Sequence, residues 1–209
     1  MLRVSRAIDP AAFSWIGAVE ARLAKQGNRF DVPGGGVLYA ASDAATCFHE
    51  VCARFRPSPF AKALDFAEES HLMLPGNLPA DWRDMRRIYS LEIDSSLPFV
   101  DIDNPQTWRW LEDRLLGDLA RRSIDHLDAD DVVGHDRALT RAMAAEIYTA
   151  TSESGAPCYG GIRYRSRLNH GECWAIFEHV AVRIAAERTI ERTDRDLVAW
   201  ARQWDVTIH

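Results

Sequence analysis

The run GNRFDVPGGGVLYAASDAATCFHEV, residues 27–51, sets an arginine, a tyrosine and a carboxylate on the flanks of a strand and a helix. A guanidinium such as that of Arg29 binds an anion through a planar fork. Tyr39, inside the apolar strand, offers a ring and a hydroxyl that needs a partner when buried. Glu50 sits off the centre of the helix stripe, where it either faces water or stands at the rim of a cleft formed with the preceding strand. A second stretch, GGIRYRSRLNHGECWAIFE over residues 160–178, repeats the theme. In an extended chain Ile162, Tyr164 and Ser166 point one way and Arg163, Arg165 and Arg167 the other. Three cations on one side suit a phosphate, or are simply an exposed face. Ser166 on the apolar side needs a hydrogen-bond partner or lines a pocket.

Other chemistries find less support. Gly34-Gly35-Gly36 has no Lys-Ser/Thr behind it and opens no helix, so it is neither a Walker loop nor a dinucleotide fingerprint. It reads as a flexible turn into the strand. His170 and Cys173 have plausible metal spacing but no second pair, and Cys47 and His49 are too close to face together on a helix. Asp128, Asp130 and Asp131 lack the glycine and terminal glutamate of a calcium loop, so they read as a solvated turn. No metal is expected. A cysteine nucleophile at Cys158 or Cys173 stays open, because spatial partners are invisible in the sequence.

These residues need elements to position them. Leu2 to Arg6 alternates and predicts a first strand, and Pro10 to Gln26 predicts a helix. Gly36 to Ala41 is a strand. Ala44, Cys47, Phe48, Val51, Cys52 and Phe55 form one helical stripe, which Ser42 or Asp43 can cap. Pro57 to Asp81 reads as loops around a short helix. Strands follow over Arg87 to Asp94 and Phe99 to Ile102. Asn104-Pro105 then opens a helix with Trp108, Leu111, Leu115 and Leu119 as its buried stripe. Leu139, Met143, Ile147 and Ala150 mark another. Gly161 to Ser166, Cys173 to Glu178 and Val180 to Ile190 predict strands, and Thr193 with Asp196 a capping box before a last helix carrying Leu197, Ala201 and Trp204. Helices in the middle and strands near both ends favour an α+β fold with a mixed sheet over a doubly wound one.

Composition sets the frame. The 209 residues suit one domain, and 31 acidic against 25 basic side chains make a poor general binder of nucleic acid. No apolar run is long enough to span a bilayer, and the first ten residues lack the apolar core of a secretory signal. Cys47, Cys52, Cys158 and Cys173 read as buried free thiols in a reducing cytosol.

Taken together, the two stretches resemble the RES domain, named for its arginine, glutamate and serine. The matching text is Asn28-Arg29-Phe30, then Gly36 to Ser42, His49-Glu50-Val51, Gly161 to Arg167 and Cys173 to Phe177; Leu2-Arg3-Val4 is similar to the family's first strand. The likeness runs from residue 2 to about 180, while an insert over about 57–155 offers little to match. It implies a single RES-like domain over residues 1–209 with an ADP-ribosyltransferase-like fold. It also implies a cytoplasmic bacterial toxin that consumes NAD by hydrolysis, by phosphorolysis or by transfer of ADP-ribose to a protein. Such a toxin is held in check by an Xre-type helix-turn-helix antitoxin. Carried over residue by residue, the catalytic set is Arg29, Tyr39, Glu50 and Ser166, with Arg3, Arg29, Tyr39 and Ser166 binding the dinucleotide. A homodimer stays open; direct contact with nucleic acid or membrane is not expected. The arginines around Ser166 depart from the family pattern.

The chemistry is coherent. Cleaving the nicotinamide–ribose bond passes through an oxocarbenium-like state, which a carboxylate such as Glu50 can stabilise. Arg29, with Arg163 or Arg165, would hold the pyrophosphate, Tyr39 would stack on nicotinamide, and Ser166 would bond ribose or carboxamide. The glycines would let the backbone approach the ligand. A catalytically inactive nucleotide-binding module is the alternative of a different class.

Overall fold

A computed structural model describes residues 1–23, 26–57 and 76–209. The strands are β1 (Leu2–Arg6), β2 (Val37–Ala41), β3 (Asn77–Leu78), β4 (Arg86–Asp94), β5 (Phe99–Asp101), β6 (Gly161–Arg165), β7 (Glu172–Phe177), β8 (Ala181–Thr189) and β9 (Thr207–Ile208). The helices are α1 (Ala44–Cys52), α2 (Ala80–Asp84), α3 (Pro105–Glu112), α4 (Leu116–Ala120), α5 (Ala129–Val133), α6 (Arg137–Thr149) and α7 (Arg195–Trp204). Seven strands follow the order β5-β6-β7-β2-β1-β4-β8. The β1–β4 and β6–β7 pairs are antiparallel and β5–β6 is parallel, so the chain is α+β with a mixed sheet.

The chain divides into two compact units. The first comprises Met1–Pro10, Ala41–Leu91 and Ile184–His209. Here β1 and β4 pair over their full common length, from Leu2 opposite Ser90 to Arg6 opposite Arg86. Asp43 caps α1 by accepting a hydrogen bond from Thr46 N at 2.7 Å. The apolar stripe of α1 is buried at Ala44, Cys47, Phe48 and Cys52, and the Cys47 thiol donates to Leu2 O. The helix unwinds into a single 3-10 turn at Ala53–Phe55. In α7, Leu197, Trp200 and Ala201 are buried.

The second unit comprises Ala11–Ala40 and Glu92–Arg183. Its centre is a β6–β7 hairpin with β5 alongside and the long helix α6. Phe30, Val37, Leu38, Leu139, Met143, Ile147, Ile162 and Phe177 form much of its buried core. Gly161 is obligatory: a Cβ there would lie 2.2 Å from Ala175 O and 2.7 Å from the Phe99 ring. Asn104 caps α3 with Pro105 behind it, as its sequence predicts.

Several expectations need correction. The helix predicted over Pro10 to Gln26 is absent among its described residues. Instead Ser14 bridges Val37 and Ile16 bridges Pro33, with a lone 3-10 turn at Glu20–Arg22. The carbonyls a helix would use internally go elsewhere: Ser14 O accepts from Val37 N, Ile16 O from Gly34 N, and Ala21 O from Arg141. The predicted single helix through Leu119 breaks after Glu112 and resumes as α4, keeping Leu111, Leu115 and Leu119 buried. Asp128, Asp130 and Asp131, expected as a solvated turn, form the cap and first turn of α5, with Asp128 and Asp130 exposed and a capping box between Asp128 and Asp131. Asp194, not Thr193, caps α7 by accepting from Asp196 N. The loops predicted over Pro57 to Asp81 lie mostly outside the described residues; within reach, β3 and the start of α2 occupy their end.

Candidate active site

The loop ahead of β2 is built around a buried carboxylate. Asp31 is fully buried and accepts from the backbone N–H of Asn28, from the Asn28 amide, from Ser14 Oγ and from the Tyr39 hydroxyl at 2.9 Å. The same Tyr39 oxygen accepts from Phe30 N at 3.1 Å. Tyr39 therefore uses its hydroxyl on both sides to fix the loop. The residue is half-buried, but its oxygen lies inside, and burial together with the neighbouring Asp31 carboxylate holds the phenol well above its ordinary range.

That loop presents Arg29. Its guanidinium carbon stands 5.6 Å from the Tyr164 ring centroid and 5.7 Å from that of Phe30. These two rings pack at 4.9 Å with a 58° tilt. A cation resting beside a pair of aromatic rings is favoured electrostatically, and the ring faces give it no hydrogen-bond acceptor. Accordingly Arg29 Nη1 is buried and meets no hydrogen-bond partner among the described residues. A buried guanidinium donor left without an acceptor is costly, and a bound anion removes that cost.

Ser166 lies two residues beyond Tyr164 and is 1% exposed. Its Oγ accepts from Leu168 N at 3.0 Å, and its main chain bonds Gly171 and His170, so it heads the turn of the β6–β7 hairpin. The predicted alternation holds: Ile162, Tyr164 and Ser166 are buried, whereas Arg165 and Arg167 are exposed and Arg163 is half-buried. Arg163 cannot also serve as a ready phosphate ligand, because Asp101 at 2.9 Å and Glu172 already hold its guanidinium. Arg167 turns towards the His135 ring at 3.1 Å.

Gly35 and Gly36 serve packing, whereas Gly34, at φ +79° with open space around it, serves the turn into the strand. A Cβ on Gly36 would lie 2.7 Å from Glu178 Oε2 and 2.9 Å from the Trp15 ring; one on Gly35 would lie 3.0 Å from the Tyr148 ring. Glu178 accepts from Gly36 N at 3.0 Å and from the Tyr148 hydroxyl at 2.7 Å. Hydrogen bonding to Glu178 pushes the Tyr148 phenol up to about 12.

Arg3 and Glu50 belong to the first unit. Glu50 is the exposed residue of an otherwise largely buried α1. Its neighbour His49 is buried, with Nδ1 lacking a partner among the described residues; burial and then the Arg56 charge lower its pKa. Arg3 is half-buried in β1, and burial lowers its pKa against the opposing influence of Cys47. Within the second unit the structure thus groups Arg29, Tyr39 and Tyr164 around one loop, with Ser166 further along the β6 hairpin.

Cys47 and Cys52 make poor nucleophiles. All four cysteines are free, Cys47, Cys52 and Cys173 are buried, and Cys158 is half-buried. Burial pushes the Cys47 and Cys52 thiols up to about 12. Among the described residues, no helix is long and apolar enough to cross a membrane.

Several residues that shape the site escaped sequence reading. Asp31 holds the loop from within, and Thr140, Arg141, Tyr148 and Glu178 act on it from other elements. A carboxylate amid glycines and proline was a readable signal for Asp31. The spacing of Arg137, Thr140 and Arg141 also puts three hydrogen-bonding side chains on one flank of a helix.

With this geometry in view, the family assignment follows. The RES domain model matches residues 3–205, and the chain belongs to the RES domain family. Among solved structures, the chain is similar to one in the crystal structure of the M. tuberculosis MbcT-MbcA toxin-antitoxin complex. That likeness has a TM-score of 0.46 and 15% identity, and covers 99% of this chain and 88% of that one. No curated protein matches it.

Proposed function

We propose that this chain is a toxin that consumes NAD, cleaving the nicotinamide–ribose bond by hydrolysis or phosphorolysis, and that a cognate Xre-type helix-turn-helix antitoxin neutralises it in the cytoplasm. The observation that carries this reading is Arg29: a guanidinium beside a packed pair of aromatic rings, whose Nη1 has no acceptor among the described residues. Such a group suits a pyrophosphate oxygen. In this reading Glu50 stabilises positive charge on the ribose as nicotinamide departs, and nicotinamide leaves without a strong acid. Ser166 and Arg3 contribute to dinucleotide binding. Tyr39 acts through the loop it fixes as well as through its ring.

The test is incubation of the full chain with NAD and identification of products by mass. Free nicotinamide with ADP-ribose indicates hydrolysis. A phosphate-dependent phosphorylated ADP-ribose indicates phosphorolysis, and label on a protein indicates ADP-ribosyl transfer. Arg29→Ala and Glu50→Ala are each expected to lower turnover by about a hundredfold or more with folding intact. Unchanged turnover in both variants removes the reading.

A further inference from the structure

The peptide group joining Arg29 to Phe30 is held at both ends by side chains. Its carbonyl, Arg29 O, accepts from Thr140 Oγ1 at 2.7 Å. Its N–H, that of Phe30, donates to the Tyr39 hydroxyl at 3.1 Å. The two preceding carbonyls are gripped from the same helix: Arg137 Nη1 donates to Gly27 O, and Arg141 Nε donates to Asn28 O at 3.3 Å. Three consecutive loop oxygens are therefore taken by three side chains of the first turns of α6. Thr140 is fully buried and Arg141 is 2% exposed. Gly27 has φ +58°, and a Cβ there would lie 2.6 Å from Ile16 Cδ1 and 2.7 Å from Asp31 Oδ2, so the loop has little freedom to shift.

We propose that Thr140 is a positioning residue for Arg29, fixing the Arg29–Phe30 peptide plane so that the guanidinium meets its anion already oriented. This rests on the reading of Arg29 as a ligand of the NAD pyrophosphate. Fixing that plane sets ψ of Arg29 and φ of Phe30, and hence the direction in which the Arg29 side chain leaves the backbone. Thr140 touches neither substrate nor reacting atoms in this scheme. Its loss should weaken binding of the dinucleotide more than it slows bond cleavage.

The experiment compares Thr140→Val, which keeps the shape and removes Oγ1, with Thr140→Ser, which keeps the hydroxyl. Arg137→Ala, a change at the open end of the same grip, is the third variant. Two readouts are taken on the full chain: amide hydrogen exchange at Phe30 without ligand, and KM and kcat for NAD. Thr140→Val is expected to raise KM about tenfold with kcat nearly kept, and to speed exchange at Phe30. Thr140→Ser should restore both. Arg137→Ala should shift KM the same way by about two- to threefold, and it decides the matter if Thr140→Val does not fold.

An unchanged KM and exchange rate in Thr140→Val, or equal losses in Thr140→Val and Thr140→Ser, overturn the proposal. If the wild type does not turn over NAD, the proposed function fails separately. The positioning role is then read from inorganic pyrophosphate binding by calorimetry. Weaker binding in Thr140→Val, restored in Thr140→Ser, upholds it. Absence of pyrophosphate binding in the wild type overturns it.

Discussion

Tyr39 carries a ring and a hydroxyl, and a buried phenol hydroxyl needs a partner. In the structure that hydroxyl ties Asp31 to the Phe30 N–H. Removing it leaves a fully buried carboxylate short of a donor and an amide short of an acceptor. Tyr39→Phe is therefore expected to destabilise the fold by about 1–3 kcal/mol, measurable by urea unfolding. A residue acting through its ring alone would show no such loss. Arg29 shows what one residue can reveal. Its type and place ahead of the glycines were legible, but its aromatic neighbours come partly from Tyr164, 135 positions further along, which no spacing rule predicts.

At the scale of elements, β1, β2, α1, α6 and the strands β6 and β7 were legible because their signals are local. Period-two or period-3.6 patterning, the cap at Asp43 and the Asn104-Pro105 start each work within a few residues. The segment after Pro10 departs from its local pattern for the opposite reason. Its apolar spacing suits a helix, but carbonyls there are claimed by Arg141, about 120 residues away, and by Val37 and Gly34. The turn before β2 likewise depends on Tyr148 and Glu178.

That last contact gives a pH signature. The neutral Tyr148 phenol is the form that donates to Glu178, and its folded value of about 12 lies above the ordinary 10.0. Its contribution to stability is fully present below pH 10 and is lost as pH rises through about 12. Burial raises Tyr39 in the same direction, so the wild type alone cannot separate the two. The stability difference between wild type and Tyr148→Phe should hold steady up to about pH 10 and shrink above it. Urea unfolding at a series of pH values checks this; a difference that stays constant to pH 12 contradicts it.

For the whole molecule, the α+β class and the family were legible, and the model match over residues 3–205 establishes the family. The insert was legible only as elements. What it supplies is α6, whose role depends on pairings more than 100 residues apart. Ligand linkage offers a test at this scale. ADP-ribose at a hundredfold its Kd should stabilise the wild type by about 2.7 kcal/mol. The same concentration should leave Arg29→Ala nearly unmoved in a thermal scan, and equal shifts in both proteins would place the ligand elsewhere.

The grip of α6 on its loop falls on main-chain oxygens at positions 27, 28 and 29, atoms that every amino acid carries. The path of the turn is thereby uncoupled from the identity of the side chain displayed at position 29. Selection, or a designer, can rewrite the lettering of that display without inventing a new frame to hold it.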